Sequence, residues 1–555
     1  MRNQRAPRFV AIGIDSIDLG LLRMLADYQP LPHLENLLAR SRVLQITGED
    51  ELRAELPWTT FLTGELPADS GYWGTVSFDP DTYGVRLAGA RYARPFFADL
   101  PPPVVALDIP HSVPWPGVEG LQVVAWGAHS PQRPRSSEPP ELLDMLDAAV
   151  GTHPAFEADS EPGWHSADYE SRLVDALIVG AGRRAMAFRW LLAHDPQWRS
   201  AVVVFSEIHS AGHLFWHAVD DAHPLGGLPS IAATRARFAS VAVAVDSAVG
   251  SILGALPSGT QTVLFSVHGM MANSSDLVAS YLLPELLHRD EFGWSRHGNL
   301  PLGGARPVLP PARVALGVVL GAYQTGSPDH RGPLPPSFWE LGTERSRRRL
   351  RTLRNRPKGP GRALRSVGGP VLASGGRATS LEYLGTMRYR NTWPLGRSFV
   401  LPSLSDAAVR VNLRGRERDG VVSAENYSAE LHRIEQLLAA VHDPDTGRRI
   451  HLHLTRMRSQ DPFAADGPAA DLLVRAPYPL DAWEHPSFGR IGPFPYLRTG
   501  EHRPGGFVAF PPGTSYQPAN SVGVDSVSLA DVGRVLVAIA RSNTSSDLQA
   551  PPVSA

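Results

Sequence analysis

Three apolar runs in this sequence end in side chains that can bind a metal ion, and this pattern constrains the fold most strongly. Their lengths, and the helical patterns between them, predict strands of an α/β domain. Because the carboxyl ends of parallel strands meet at one edge of a sheet, we expect a functional site along that edge. The runs and their side chains are 9–14 with Asp15, 201–205 with His209 and His213, and 262–265 with His268.

Composition narrows the class of protein. The chain has 555 residues, of which 43% are hydrophobic and 19% charged, as is typical of a folded protein with a large core. A formal net charge of −2 gives no electrostatic attraction for nucleic acid or an anionic membrane, so we expect neither as a partner. There is no cysteine, which excludes disulfides, thiolate zinc sites and a cysteine nucleophile.

The N-terminus and the composition also suggest a cellular location. Residues 1–8 lead directly into a strand-like run and lack the apolar stretch of a signal peptide. No apolar run approaches the roughly 18 residues that suggest a membrane span. Lys358 is the one lysine among 53 basic residues, a bias typical of GC-rich genomes. We therefore expect a cytoplasmic, bacterial protein.

Strand and helix patterns divide the chain into four parts. We predict an α/β core with a mostly parallel central sheet flanked by helices, whose first part covers residues 1–295. Residues 296–396 are rich in Pro, Gly and Arg and are predicted to form an inserted cap. The core resumes over 397–542, and the Ser/Pro tail, 543–555, is expected to be disordered.

Several short motifs follow one another along the chain in an order that resembles the alkaline phosphatase superfamily, most closely its type I phosphodiesterase/nucleotide pyrophosphatase branch. The resemblance implies the fold of that superfamily, with a cap inserted into the α/β core. The motifs are Ile12–Asp15 followed by 31–37, 57–64 with 67–74, His209-x-x-x-His213, 266–269, 412–416 and 500–502.

The resemblance implies a site for divalent metal ions, usually zinc. One metal of the family is held by an Asp-x-x-x-His pair and a late histidine, and these positions are His209, His213 and His502 here. Three neutral imidazoles are a good zinc set that leaves a fourth position open. The alternative for His209 and His213 is a pair at a helix start, hydrogen-bonded to backbone.

The second metal site of the family departs from its pattern in this chain. Asp15 and His268 match expected ligands, but Val267 stands where the family has an aspartate. The position of the nucleophilic Ser or Thr falls on Ala54 or Glu55, depending on the register, and neither has a hydroxyl. The usual covalent route through that position is therefore not expected here.

Two replacements for the missing nucleophile are possible. The carboxylate of Glu55 could help Asp15 and His268 hold a second ion, with metal-activated water attacking directly. Alternatively, Thr59 or Thr60 could place a hydroxyl beside a bound anion at a helix start. Helix packing is the alternative role for both threonines, and a favourable charge before a helix is the alternative for Glu55.

Three further polar residues have open roles. In a family-like turn, Asn412 and Arg416 could bind a phosphate or sulfate, because guanidinium groups grip such anions bidentately. A structural role for this pair is equally open. Glu207 could orient a ligand imidazole or be a solvated charge at a strand end.

These observations favour a metal-dependent hydrolase or transferase that acts on a small-molecule phosphate ester or diester, with one or two zinc ions. One alternative is a degenerate family member that binds an anionic ligand or a partner without hydrolysis. Another is a metal site repurposed for a step in a bacterial biosynthetic pathway.

Overall fold

The computed structural model describes most of the chain outside the predicted cap and tail. The described residues are 8–48, 56–87, 93–127, 134–155, 167–293, 295, 381, 384–458, 461–464, 467–494, 496, 498–512 and 525–542. Glu55, most of the predicted cap and the predicted tail lie outside them.

The strands and helices of the first half alternate, as the sequence pattern predicts. The strands are β1 (Phe9–Ile14), β2 (Arg42–Thr47), β3 (Val76–Asp79), β4 (Gly84–Leu87), β5 (Val104–Leu107), β6 (Gly120–Val124), β7 (Ser136–Glu138), β8 (Ser200–Phe205), β9 (Gln261–Ser266) and β10 (Gly269–Ala272). The helices are α1 (Leu19–Tyr28), α2 (Pro32–Ala39), α3 (Leu56–Thr63), α4 (Pro67–Ser70), α5 (Leu142–Val150), α6 (Ala167–His194), α7 (Glu207–Phe215), α8 (Ile231–Ala255) and α9 (Leu283–Phe292).

The second half contributes more strands than helices. Its strands are β11 (Ser398–Leu401), β12 (Ala407–Val411), β13 (His453–Arg456), β14 (Leu472–Arg475), β15 (Trp483–His485), β16 (Gly489–Ile491), β17 (Gly500–Arg503), β18 (Gly506–Phe510) and β19 (Ser526–Ser528). Its helices are α10 (Tyr427–Ala439) and α11 (Val532–Ser542).

A mostly parallel sheet forms the centre of the molecule and confirms the predicted α/β class. In the described part of the chain it has nine strands in the order β19-β2-β18-β9-β1-β8-β5-β6-β7. Its strands are parallel apart from β18 and β7, which run antiparallel to their neighbours. The carboxyl ends of β1, β8 and β9 therefore share one edge, and the start of β18 lies at that edge too.

Both faces of this sheet are covered by helices, because successive side chains of a buried strand point to opposite faces. In β1, Val10 and Ile12 pack with α1, α2, α5, α6 and α8 on one face. Phe9 and Ala11 pack with α3 and α11 on the other. Full burial of side chains such as these contributes about 1.5–3 kcal/mol each for Val, Ile or Phe.

Helix α8 is, within the described residues, the one helix that is long and apolar enough to cross a membrane by length and composition. Half of its apolar window is buried inside the protein, and it packs against α1, α2, α6 and α7. These contacts are those of a core helix.

In the part of the chain that was predicted to complete the core, some of the strands form a second, antiparallel sheet. Strands β11, β12, β14 and β13 form this sheet, separate from the central one. It packs against α9 and α10. Of the predicted second part, 397–542, the strands β18 and β19 join the central sheet. Hydrophobic periodicity could not show this, since both sheets bury apolar strands.

The helical segment that follows β10 consists of two parts. A π-helical segment covers Val278–Leu282 and is followed by α9, with Pro284 in its first turn. Proline has no N–H and clashes with the preceding turn, so a widened turn before Pro284 accommodates it without breaking the path of the helix.

Candidate metal centre

The two histidines that follow β8 lie on one face of α7. This helix begins at Glu207, directly after the strand, and carries His209 and His213 one turn apart. Residues four apart on a helix project to the same side, so both rings face the sheet edge. Both side chains are buried.

The third histidine reaches the same place from the other end of the chain. Strand β17 pairs antiparallel with β10, and this register sets His502 opposite Met270, two residues after His268. Helix α7 and β17 approach closely because both have glycine at the contact. A Cβ on Gly500 would lie 2.3 Å from the carbonyl oxygen of Gly212, a distance that no ordinary contact allows.

The three rings, here called the imidazole triad (His209, His213 and His502), converge through their Nε2 atoms. The Nε2 of His209 lies 2.9 Å from that of His213 and 2.7 Å from that of His502. The three candidate ligand atoms all lie within 4.8 Å of one another. The structure thus brings together the residues that the sequence assigned to one metal ion.

The proton positions in the triad follow from its other hydrogen bonds. The Nδ1 of His209 donates to Oδ2 of Asp15 at 2.6 Å, and the Nδ1 of His213 donates to the carbonyl oxygen of Gly500 at 2.7 Å. A neutral imidazole with its proton on Nδ1 presents a lone pair on Nε2. Two such lone pairs facing each other at 2.9 Å repel unless a proton or a metal ion lies between them, so this donor set fits a metal ion.

Burial and neighbouring groups set the charge of His502 and of Asp15. Burial, together with the neighbouring His268 and His209, lowers the pKa of His502 well below its ordinary value. Burial alone would raise the pKa of Asp15, but the favourable interactions with His209 and the nearby His268 outweigh it and lower the pKa well below its usual range. His502 is therefore a neutral nitrogen donor, and Asp15 is an ionised carboxylate beside the triad.

The residues proposed for a second ion are also close to the triad, but their contacts differ. The Nε2 of His268 lies 3.2 Å from Oδ1 of Asp15 without the alignment of a hydrogen bond. The same Oδ1 accepts a hydrogen bond from the indole Nε1 of Trp58 at 3.0 Å. Val267 is buried in the hydrophobic core on one face of the central sheet. Among the described residues, no third ligand joins Asp15 and His268.

Of the three residues considered as replacements for the nucleophile, the structure describes two. Glu55 lies outside the described residues. Thr59 and Thr60 are buried in α3, directly after Trp58, whose indole contacts the Asp15 carboxylate. The Thr59 hydroxyl has no hydrogen-bond partner among the described residues. Sequence patterns gave no signal for Trp58, since an indole N–H aimed at a carboxylate depends on tertiary contact.

Asn412 and Arg416 follow β12, and their side chains bind other groups of the protein. The side chain of Asn412 accepts from the Tyr83 hydroxyl and donates to the carbonyls of Trp393 and Gly396. Arg416 forms a bidentate pair with Asp471, with Nη1–Oδ1 and Nη2–Oδ2 both at 2.7 Å. These contacts favour the structural role that the sequence left open over anion binding.

A second buried polar group lies at the same sheet edge, here called the arginine cluster (Arg184, Asp108, Glu207 and His153). Arg184 donates from Nη1 to Asp108 at 2.5 Å and from Nε to Glu207 at 2.8 Å, and all three side chains are fully buried. His153 donates from Nε2 to the same Oε1 of Glu207 at 3.0 Å, since its Nδ1 accepts from the backbone N–H of Ala155.

This cluster corrects both roles considered for Glu207. The carboxylate is buried, so it is not a solvated charge, and its imidazole partner is His153. Burial alone would raise the pKa of Glu207, but Arg184 and the hydrogen bond from His153 outweigh it and lower the pKa to about 2. A sequence signal for Arg184 existed, because it falls in the buried stripe of α6 between Ala181 and Phe188.

Comparison with known proteins gives matches among solved structures alone, since neither a family model nor a curated protein matches the sequence. Phosphonoacetate hydrolase from Sinorhizobium meliloti 1021, in complex with phosphonoformate, is 12% identical, and the match covers 97% of this chain and 98% of that one with a TM-score of 0.42. Murine ectonucleotide pyrophosphatase/phosphodiesterase 5, an inactive form in complex with AMP, is 11% identical, with coverage of 99% and 97% and a TM-score of 0.42. Both belong to the alkaline phosphatase superfamily, which the sequence motifs resemble.

Proposed function

We propose that this protein is a metal-dependent hydrolase that acts on a phosphate ester or diester through an ion held by His209, His213 and His502. The observation that carries the proposal is the convergence of their Nε2 atoms, at 2.7 and 2.9 Å from that of His209. The Nδ1 hydrogen bonds to Asp15 and the Gly500 carbonyl leave lone pairs directed at one point. Zinc is the expected ion, because imidazole nitrogens in a set of three are among its common ligands.

The chemistry of the site suits an anionic substrate. A bound divalent ion with an open position polarises a phosphoryl oxygen and activates water. Three neutral imidazoles leave the full +2 charge on the ion, and the ionised Asp15 offsets one unit of it. The net positive charge that remains favours a phosphate group. Among anionic substrates we propose a phosphate ester, because the sequence motifs resemble the phosphodiesterase branch.

The route of hydrolysis depends on whether a side-chain hydroxyl takes part. Without a hydroxyl at Ala54 or Glu55, we expect water to attack phosphorus directly, and one displacement inverts the configuration. A chiral phosphate diester distinguishes the routes. Retention would contradict direct attack and support Thr59 or Thr60 as a relocated nucleophile, because two displacements restore the configuration.

A second candidate function is metal-dependent binding, or a repurposed reaction, without ester hydrolysis. The observation that favours it is Val267, which is buried in apolar packing where the resembled family has a metal-binding carboxylate. In that case the triad would still bind an ion, and an anionic ligand would be held without being cleaved.

The test combines metal analysis with an ester screen. Chelator-treated protein is reloaded with Zn²⁺ or Mn²⁺ and assayed on chromogenic phosphate mono- and diesters. We expect activity to be lost on chelation and restored by metal, and to be lost in His209→Ala, His213→Ala and His502→Ala. His432→Ala is the matched control, since that ring is exposed on α10. Bound metal without turnover on any ester would contradict the hydrolase and favour the second candidate.

A further inference from the structure

The carboxylate of Asp15 has its two oxygens directed at side chains of the protein. Oδ2 accepts the hydrogen bond from His209 Nδ1 at 2.6 Å, and Oδ1 accepts the one from Trp58 Nε1 at 3.0 Å. His268 Nε2 lies 3.2 Å from Oδ1. Asp15, Trp58 and His268 are all buried, so water does not compete freely for these oxygens.

These contacts leave little room for an ion on Asp15. A carboxylate ligand of zinc has an oxygen about 2.0–2.2 Å from the ion. The N–H groups of Trp58 and His209 already approach one oxygen each, and Val267 offers no donor atom. In the described part of the chain, the cluster with metal-ligand spacing is His209, His213 and His502, without Asp15 or His268.

The same contacts give Asp15 another role. A histidine that binds metal through one nitrogen commonly donates the other N–H to a carboxylate, which fixes the ring and its tautomer and raises its basicity. His209 has this arrangement with Asp15, and Trp58 holds the far oxygen of the same carboxylate. The Gly500 carbonyl does the same for His213.

We propose that the centre takes one metal ion and that Asp15 is a positioning residue in a chain from Trp58 through Asp15 to His209. The indole of Trp58 fixes the carboxylate, and the carboxylate fixes the proton of His209 on Nδ1. This inference depends on metal binding at the triad as proposed above, and it does not depend on hydrolysis.

Metal stoichiometry and affinity test the inference in the full chain. Wild-type protein is titrated with Zn²⁺ alone against a chromophoric chelator, and bound metal is counted by native mass spectrometry. We expect one ion per chain. Asp15→Asn should bind the ion about 10–100-fold more weakly, as is typical when a carboxylate behind a ligand histidine is removed, and should still bind one ion.

A second variant guards against misfolding of Asp15→Asn. Trp58→Phe keeps a buried ring and removes the N–H, so we expect a weaker but measurable loss of Zn²⁺ affinity with one ion bound. Trp483→Phe is the matched control, because that indole is also buried, in β15 within a different hydrophobic cluster, and its N–H has no partner among the described residues. Its Zn²⁺ affinity should match that of the wild type.

Ring nitrogen NMR of the metal-free protein gives a readout that a merely structural role would not change. We expect His209 to be protonated at Nδ1 in the wild type and to shift towards the other tautomer in Asp15→Asn. Unchanged tautomer and unchanged affinity in Asp15→Asn would overturn the positioning role.

The outcomes separate this inference from the proposed function. Two ions in the wild type, with one lost in Asp15→Asn, would overturn the inference and leave the hydrolase standing. One tightly bound ion without ester hydrolysis would support the inference and contradict the hydrolase. No bound ion in the wild type would overturn both.

Discussion

Two buried polar groups lie at the same edge of the central sheet but differ in how their hydrogen-bond donors and acceptors are paired. In the arginine cluster, Arg184 donates to two carboxylates and a carbonyl, so its guanidinium is satisfied within the protein. In the imidazole triad, the Nε2 atoms of His209 and His213 meet with lone pairs facing each other. The Arg184 guanidinium therefore needs no ligand, although Oε2 of its partner Glu207 has no hydrogen-bond partner among the described residues. The facing His209 and His213 nitrogens need a proton or a metal ion to satisfy them. Burial and charge alone therefore do not identify a functional site; the chemistry of the facing groups must be considered as well.

The largest effect should come from breaking the arginine cluster. Arg184→Met leaves Asp108 and Glu207 buried without their cation, and removal of one partner of a buried pair costs about 3–5 kcal/mol. We expect a corresponding loss in the free energy of unfolding, measured by urea denaturation. Arg183→Met, at the half-buried neighbour in α6 whose Nη1 donates to the Thr152 carbonyl, should change it by about 0.5 kcal/mol or less. Equal effects of the two variants would contradict the distinction between the groups.

The contribution of the imidazole triad to protein stability should instead depend on bound metal. At a free Zn²⁺ concentration 100 times the dissociation constant, the wild type should gain about 2.7 kcal/mol, and His213→Ala should gain little. Without metal, removal of one of two opposed lone pairs should offset part of what His213→Ala loses in packing and in its hydrogen bond to Gly500, so we expect a modest loss of stability. Thermal unfolding with and without Zn²⁺ measures both. A large loss for metal-free His213→Ala would show that the ring is structural.

The close approach of α7 and β17 gives an intermediate effect. In Gly500→Ala the new methyl would meet the Gly212 carbonyl, so backbone must shift, at a cost of about 1–3 kcal/mol for overpacking. The shift moves β17 and with it His502, so Zn²⁺ affinity should fall together with stability. Isothermal titration alongside urea denaturation measures the two. Gly489→Ala, whose Cβ would meet nothing nearby but whose φ is positive, should change stability alone.

The last test of the arginine cluster is the pH dependence of the unfolding free energy, for which we expect the smallest effect. The folded pKa of Glu207 is about 2 against an ordinary 4.5, so the folded state holds the carboxylate ionised. Its contribution is then present above about pH 4.5 and is lost as the pH falls from there towards 2. Glu207→Gln should flatten the pH profile of the unfolding free energy in this window. Glu119 is exposed and directly precedes β6, so Glu119→Gln should leave the profile unchanged.

Much of the fold and of the candidate site was readable from local patterns. The runs that became β1, β8 and β9 were identified because fully buried strands are continuous apolar segments. His209 and His213 were found by helical spacing. His502 was found by its motif, and the structure places it beside them, although it lies 289 positions after His213 in the sequence.

Tertiary structure alone decided how these residues are used. Asp15 was expected to bind a metal, and its contact with Trp58 became visible only when α3 packed against β1. The strands β11 to β14 were expected in the core and form a separate sheet. Anion binding and a structural role were both open for Asn412 and Arg416, and their contacts with Tyr83 and Asp471 favour the structural role. Sequence patterns report burial and local geometry, because these depend on neighbours along the chain. Hydrogen-bond partners and strand order depend on groups far apart in sequence, so the folded chain alone determines them.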